Sequence, residues 1–141
     1  MTTATTSRMV VAADIMTSPV STIDQNCSIR EAGDLMLGRR IRHVAITAGQ
    51  CCIGVLTDRD ILEAWHRGPA ALRATPVRRL VAVRTTCVLA DASLQQVAHL
   101  MNRDLVDCVP VVGASGLALG IITSGDVIKA VAAHGVLASA G

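Results

Sequence analysis

One nine-residue segment occurs twice in this chain. Gly54-Val55-Leu56-Thr57-Asp58-Arg59-Asp60-Ile61-Leu62 is answered by Gly120-Ile121-Ile122-Thr123-Ser124-Gly125-Asp126-Val127-Ile128, with Gly, Thr and Asp at the same internal spacing. The match continues upstream with a shift of one residue. Ser28 answers Ser93, Met36 answers Met101 and Val44 answers Val109, and one extra residue in the second turn, near Ser115-Gly116, accounts for the shift. A self-match this long decides architecture before any local pattern does. It also places a Thr and an Asp at equivalent points of two copies.

Composition narrows the classes of function. With 141 residues, 51% hydrophobic and 17% charged, the chain is sized for one domain or two half-domains around a well-filled core. A net charge of +2 and a single aromatic residue, Trp65, leave neither a concentrated basic face nor stacking platforms, so no nucleic-acid partner is expected. The five cysteines contain no CxxC pair, although Cys51 and Cys52 are adjacent. They read as buried reduced thiols of a cytoplasmic protein rather than metal ligands or a disulfide scaffold. Residues 1–9 are polar, without the apolar stretch of a secretory signal, and are expected to form a flexible tail. No charge occurs between Asp107 and Asp126, but Pro110, Gly113, Gly116 and Gly120 break that stretch into two strands and a turn, so no membrane partner is expected.

The pattern predicts a strand over 20–23 and a helix from the Ser28/Glu31 capping box to about Arg39. Strands over 43–47 and 52–56 flank a turn at 48–50, and a helix capped by Asp58 ends near Gly68. In the second copy Asp91 or Ser93 caps a helix to about Arg103. Strands over 108–112 and 118–122 follow, then a helix over 124–134 stopped by Gly135. The domain reading is a tail at 1–9, repeats at 10–68 and 77–135, a linker at 69–76 and a C-terminal tail at 136–141. The helices are apolar beyond one face. Ile29, Ala32, Leu35, Met36 and Leu37 span about 200° of the wheel against the roughly 100° of a single core face, and the last helix is apolar almost all round. That excess points to a second copy of the chain as partner.

Each duplicated motif ends a strand and starts a helix. Free N–H groups of a first helical turn favour an anion. Thr57 and Thr123 add hydroxyls, and Asp60 and Asp126 add carboxylates able to accept from a ribose diol. The same residues also serve as simple helix caps, and a cap would duplicate just as well. Arg59 is either a second anion contact or a solvated residue of the helix start.

With these motifs, the chain resembles a tandem pair of CBS domains (a Bateman module), here a stand-alone one. The resemblance runs over residues 11–134 and rests on Asp14-Ile15-Met16-Thr17-Ser18-Pro19-Val20, the two Gly-x-x-Thr-x-x-Asp ends and Val109-Pro110-Val111-Val112. It implies an α/β (α+β) fold of two β-α-β-β-α repeats packed sheet to sheet around a pseudo-twofold axis, with two clefts between them. It further implies an adenosine-containing ligand, the candidates being AMP, ADP, ATP, NAD and S-adenosylmethionine. Thr57, Asp60, Thr123 and Asp126 match ribose and phosphate contacts. Val20-Ser21-Thr22 and Thr85-Thr86-Cys87 match the backbone at the adenine edge, and Arg42 and His43 match basic positions facing phosphate.

Departures from the family pattern predict unequal clefts. Asp107 and Cys108 stand in the second copy where Arg42 and His43 stand in the first, Ala45 replaces the Pro kept at Pro110, and Asp58-Arg59 becomes Ser124-Gly125. Only repeat one therefore offers a basic pair to phosphate. His66, His99 and His134 show no metal spacing, and no nucleophile–base pattern or P-loop suggests an enzyme. The expected function is a cytoplasmic ligand-sensing regulator of an unidentified protein. The competing reading is a ligand-free dimeric adaptor whose Thr/Asp motifs are only caps.

Overall fold

The computed structural model describes residues 9–81 and 86–134. The expected tails apart from Met9, the helix stop at Gly135 and the expected adenine-edge residue Thr85 lie outside the described residues. The first half runs α1 (Ala12–Ile15), β1 (Thr22–Asp24), α2 (Ile29–Arg39), β2 (His43–Ala48), β3 (Cys51–Thr57) and α3 (Asp58–Arg67). After α4 (Ala71–Ala74) and a 3-10 turn at Val77–Leu80, the pattern returns as β4 (Val88–Leu89), α5 (Leu94–Asp104), β5 (Cys108–Val112), β6 (Ala118–Thr123) and α6 (Ser124–His134). Each half has a three-stranded sheet, ordered β1-β2-β3 or β4-β5-β6. The first pair in each is parallel and the second antiparallel. β3 packs against β5, so the two sheets meet.

The repeat shows itself in register and caps. His43 lies opposite Thr57 as Cys108 lies opposite Thr123. Ser28 and Ser93 each close a capping box, with Glu31 and Gln96. Both helices end on a residue with φ 55°, Arg40 and Leu105, at positions where glycine is the usual occupant. Met36 and Met101 are both buried, as are Val44 and Val109. One assignment is corrected: the residue before α3 that caps it is Thr57, not Asp58. The Thr57 hydroxyl accepts from the Asp60 N–H, while Asp58 already has helical position as the first residue of α3.

Core and sequence repeat do not coincide. The leading residues of each repeat pack into the other half. Ala12 is fully buried with Val88, Val97, Val109 and Ile122, and Val10 with Leu94 and Ala130. Val77 is fully buried with Ile29, Val44, Ile46 and Leu56. The backbone bonds match one for one. Ala12 N–H donates to Ala92 O (2.8 Å) as Val77 N–H donates to Cys27 O (2.7 Å), and Leu94 N–H to Val10 O as Ile29 N–H to Thr75 O, both 3.0 Å. Beyond Ala12, Thr17 and Ile121 exchange N–H···O bonds of 2.8 and 3.0 Å, which adds the chain to the free edge of β6. Gly120 is required there, since a Cβ would stand 2.7 Å from both Met16 Sδ and the Thr17 carbonyl oxygen. The segment expected to be a plain linker carries α4, and Pro76 bridges to Ser28.

Candidate functional site between the halves

The sequence motif folds into a reciprocal cap in both halves. Asp60 Oδ2 accepts from the Thr57 N–H (2.9 Å) and hydroxyl (3.1 Å), while Thr57 Oγ1 accepts from the Asp60 N–H (3.2 Å). Thr123 and Asp126 repeat this at 2.8, 3.0 and 3.3 Å. The capping role weighed from the sequence is therefore real. It engages Oδ2 in every bond described, and a carboxylate has about four acceptor positions. Capping and ligand contact are compatible in one residue.

A cavity of about 1040 Å³ opens between the halves in front of Thr57 and Asp60. Gly54, Val55 and Arg59 belong to its first-half wall, with Leu80 and Val81 beside them. The opposite wall comes from the second half: Thr86 and Cys87 before β4, Arg103 and Asp104 at the end of α5, and Asp107 and Cys108 at the start of β5. Five of the expected ligand residues thus meet in one cleft: Thr57, Arg59, Asp60, Thr86 and Cys87. The remaining seven do not line it. By the repeat, Val20, Ser21, Thr22, Arg42 and His43 are the equivalents of Thr85, Thr86, Cys87, Asp107 and Cys108, and Thr123 and Asp126 those of Thr57 and Asp60.

The lining crosses between the halves. The basic pair of repeat one does not face repeat one's own Thr57/Asp60; Asp107 and Cys108 do. His43 instead feels the charge of Asp126. Burial lowers its pKa first, Asp58 raises it, Arg42 lowers it, and Asp126 and Asp107 raise it. Its counterpart Cys108 is pushed up to about 12 by burial, with Asp60 and Asp107 adding to the rise. A strand pair explains the exchange. His43 sits beside Thr57 in the ladder, yet the sheets face each other, so cleft-side groups reach across to the opposite half.

Two functional candidates escaped the sequence reading. Arg39 donates from Nη1 to the Ser21 hydroxyl (3.0 Å), and at the equivalent place Asp104 Oδ2 accepts from the Thr86 hydroxyl. Asp104 also takes Arg103 in a two-point ion pair at 2.9 and 3.1 Å, and these bonds hold its pKa down to about 2. The signal was present as a polar residue at the last turn of each helix, offset from Ser21 and Thr86 by the same eighteen residues. A further difference lies in the backbone. Ala45 N–H donates to Ser21 O (2.9 Å), whereas Pro110 has no N–H to make the matching bond to Thr86.

Cys52 lies next to Cys87 of the cleft wall; sharing one thiol proton lowers the Cys52 pKa, and the same contact together with burial raises that of Cys87. All five cysteines are free. No group of three metal-ligating side chains occurs among the described residues, and none of their helices is long and apolar enough to cross a membrane.

Comparison with known proteins agrees with this architecture. The family model described as the CBS domain matches residues 11–67 and 77–133. A CBS domain-containing protein, YhcV of Bacillus subtilis, is 30% identical over 114 residues, covering 80% of this chain and 79% of YhcV. Homoserine O-acetyltransferase of Methanocorpusculum labreanum is 30% identical over 112 residues, covering 79% of this chain and 22% of the enzyme. The chain spans about a quarter or less of the length of the homoserine O-acetyltransferases it matches. Among solved structures, the CBS domain pair of protein MJ0100, in complex with 5′-methylthioadenosine and S-adenosyl-L-methionine, superposes with a TM-score of 0.78 at 23% identity, over 90% of this chain and 99% of that one. CBSX2 in complex with AMP gives 0.72 at 22% identity, over 88% and 97%.

Proposed function

The chain belongs to the CBS-domain family, and from that premise we propose that it is a ligand-sensing regulatory module. It binds an adenosine-containing ligand in a cleft between its two repeats and signals to a partner protein. The observation that carries this reading is the cavity of about 1040 Å³ in front of the Thr57/Asp60 helix start. Such a volume suits a nucleotide-sized molecule. The helix N-terminus supplies N–H groups and the Asp60 carboxylate a ribose acceptor. Structural relatives were solved with AMP and with S-adenosylmethionine, which keeps AMP, ADP, ATP, NAD and S-adenosylmethionine as candidate ligands. No step of chemistry is assigned to the chain, and the segment it shares with the homoserine O-acetyltransferases is read as regulatory. Five free thiols suit the reducing cytoplasm.

The same reading includes a homodimer. α3 exposes Leu62 and Trp65, and α6 exposes Ile128 and Val131 at the matching positions. Two apolar pairs related by the pseudo-twofold suit an isologous contact that joins four repeats. Light scattering at micromolar concentration should give twice the 14.7 kDa chain mass; a monomer refutes the contact.

The capping boxes favour a second reading, a ligand-free dimeric adaptor. A melting panel with the five candidate ligands separates the two. A ligand at 100 times its dissociation constant adds about 2.7 kcal/mol, which for this length raises the melting temperature by roughly 8–12 °C. No shift with any of them at millimolar concentration selects the adaptor.

A further inference from the structure

We infer that the two clefts select adenosine ligands of opposite charge: the Asp126 cleft takes a phosphorylated nucleotide and the Asp60 cleft a phosphate-free adenosine derivative, preferentially a cation. This deepens the sensing function proposed above and rests on it.

Charge carries the inference. The cavity before Asp60 is lined by two arginines, Arg59 and Arg103, against three aspartates, Asp60, Asp104 and Asp107, for a net −1. Both arginines are already engaged, Arg103 by Asp104 at 2.9 Å and Arg59 by Glu63 at 3.7 Å. The equivalent positions of the other cleft hold Arg39 and Arg42 against Asp126 alone, a net +1 with His43 neutral, while Gly125 and Gly38 replace the two arginines. Arg39 spends a hydrogen bond on the neutral Ser21 hydroxyl and keeps its full charge. Where one half holds the Arg39 guanidinium on Ser21, the other holds the Asp104 carboxylate on Thr86.

Ligand chemistry follows from these facts. A phosphate entering the Asp60 cleft meets Asp104 and Asp107 in a partly enclosed site, where like charges repel more strongly than in water. A ribose and adenine meet no such penalty. Asp60 keeps acceptor capacity for the diol, and the Thr86 carbonyl lacks the strand partner that Ser21 has in Ala45, so it can accept from an exocyclic amine. A sulfonium or ammonium on the 5′ side is attracted by the same carboxylates. In the other cleft the pseudo-symmetry puts Arg39 and Arg42 in the places of Asp104 and Asp107, with His43 in the field of Asp126 at the start of α6, an arrangement that favours phosphate.

Calorimetry on the full chain with AMP, adenosine and S-adenosylmethionine tests the assignment. AMP should bind near one per chain and weaken roughly 10- to 150-fold in Arg42→Ala, the loss of one charge-assisted bond. Asp126→Ala should weaken it likewise, while Asp60→Ala should spare it and weaken S-adenosylmethionine. Asp107→Arg should raise AMP stoichiometry towards two. Arg42 and Asp107 are exposed, so both variants keep the fold readable if either cap variant fails. AMP lost in Asp60→Ala but not in Asp126→Ala, or two equal AMP sites indifferent to Arg42→Ala, overturns the charge assignment and leaves sensing intact. Failure of all three probes to bind overturns the sensing function itself.

Discussion

Helices α3 and α6 start on the same Thr/Asp capping box, to within about a tenth of an ångström in every bond. The side chains that face them across the clefts nevertheless differ in sign. Arg39, Arg42 and His43 line up with Asp104, Asp107 and Cys108. Duplication preserved what the backbone needs, because losing a cap leaves helix N–H groups unsatisfied wherever the helix sits. It released what only a ligand would feel. The change of sign at cleft-facing positions is therefore a statement about ligands, while the matched caps, by themselves, are a statement about folding.

The largest effect that would break the symmetry of the two halves lies at Gly120. Its missing Cβ lets Met16 and Thr17 lie against β6, and the Thr17 carbonyl cannot retreat without losing its bond from the Ile121 N–H. Gly120→Ala should cost about 1–3 kcal/mol, a melting temperature lower by roughly 3–10 °C. Gly38→Ala, inside α2 with nothing within 4 Å of the new methyl, should stabilise by about 0.5–1 kcal/mol instead. Equal melting of Gly120→Ala and the unmodified chain would show that the leading segment is not seated on the second half.

A smaller effect sharpens the claim that the frame is shared. Asp60→Ala and Asp126→Ala remove equivalent caps, so each should lower stability by about 1 kcal/mol. Denaturant melts without ligand measure this. Unequal losses, well apart from one another, would mean that one carboxylate is also held by its cleft neighbours and that the frame is not symmetric.

Much of this was legible in the sequence because it follows from local rules. Strand 108–112 emerges with the bounds read from periodicity, the last helix starts at Ser124 as expected, and Ser28 and Ser93 cap as their spacing implies. The end of α2 at Arg39 matches the reading, although Arg40 takes the left-handed conformation without a glycine to announce it. The exchange of leading segments left no local mark. Val10, Ala12 and Val77 read as apolar residues of their own repeats, and only their backbone partners reveal the opposite core. The candidate site was half legible for the same reason. Residue types at the motif showed which groups exist, whereas the pairing of Asp60 with Cys108 and of Asp126 with His43 arises from the packing of two sheets. α2 shows the limit of wheel arguments: Ile29, Ala32 and Met36 are buried within the chain, and of its wide apolar arc Leu37 alone is fully exposed, at 80%.

The smallest expected effect uses pH to separate His43 from Cys108, which occupy equivalent places. Burial, aided by Arg42, sets the folded pKa of His43 below its unfolded value of about 6.5 despite the nearby Asp58, Asp126 and Asp107. The unfolded chain therefore binds more protons in the window from about 6.5 down to the folded value. Stability is fully present above that window and declines as pH falls through it. Asp104, held to about 2 by Arg103 and Thr86, keeps its charge throughout this window. Cys108, pushed up to about 12, holds its proton across the same range and adds no slope. Denaturant melts between pH 8 and about 5.5 should thus show a shallow fall that His43→Gln flattens and Cys108→Ser leaves in place. A slope that persists in His43→Gln would mean that the histidine is not desolvated and that its side of the cleft lies open to water.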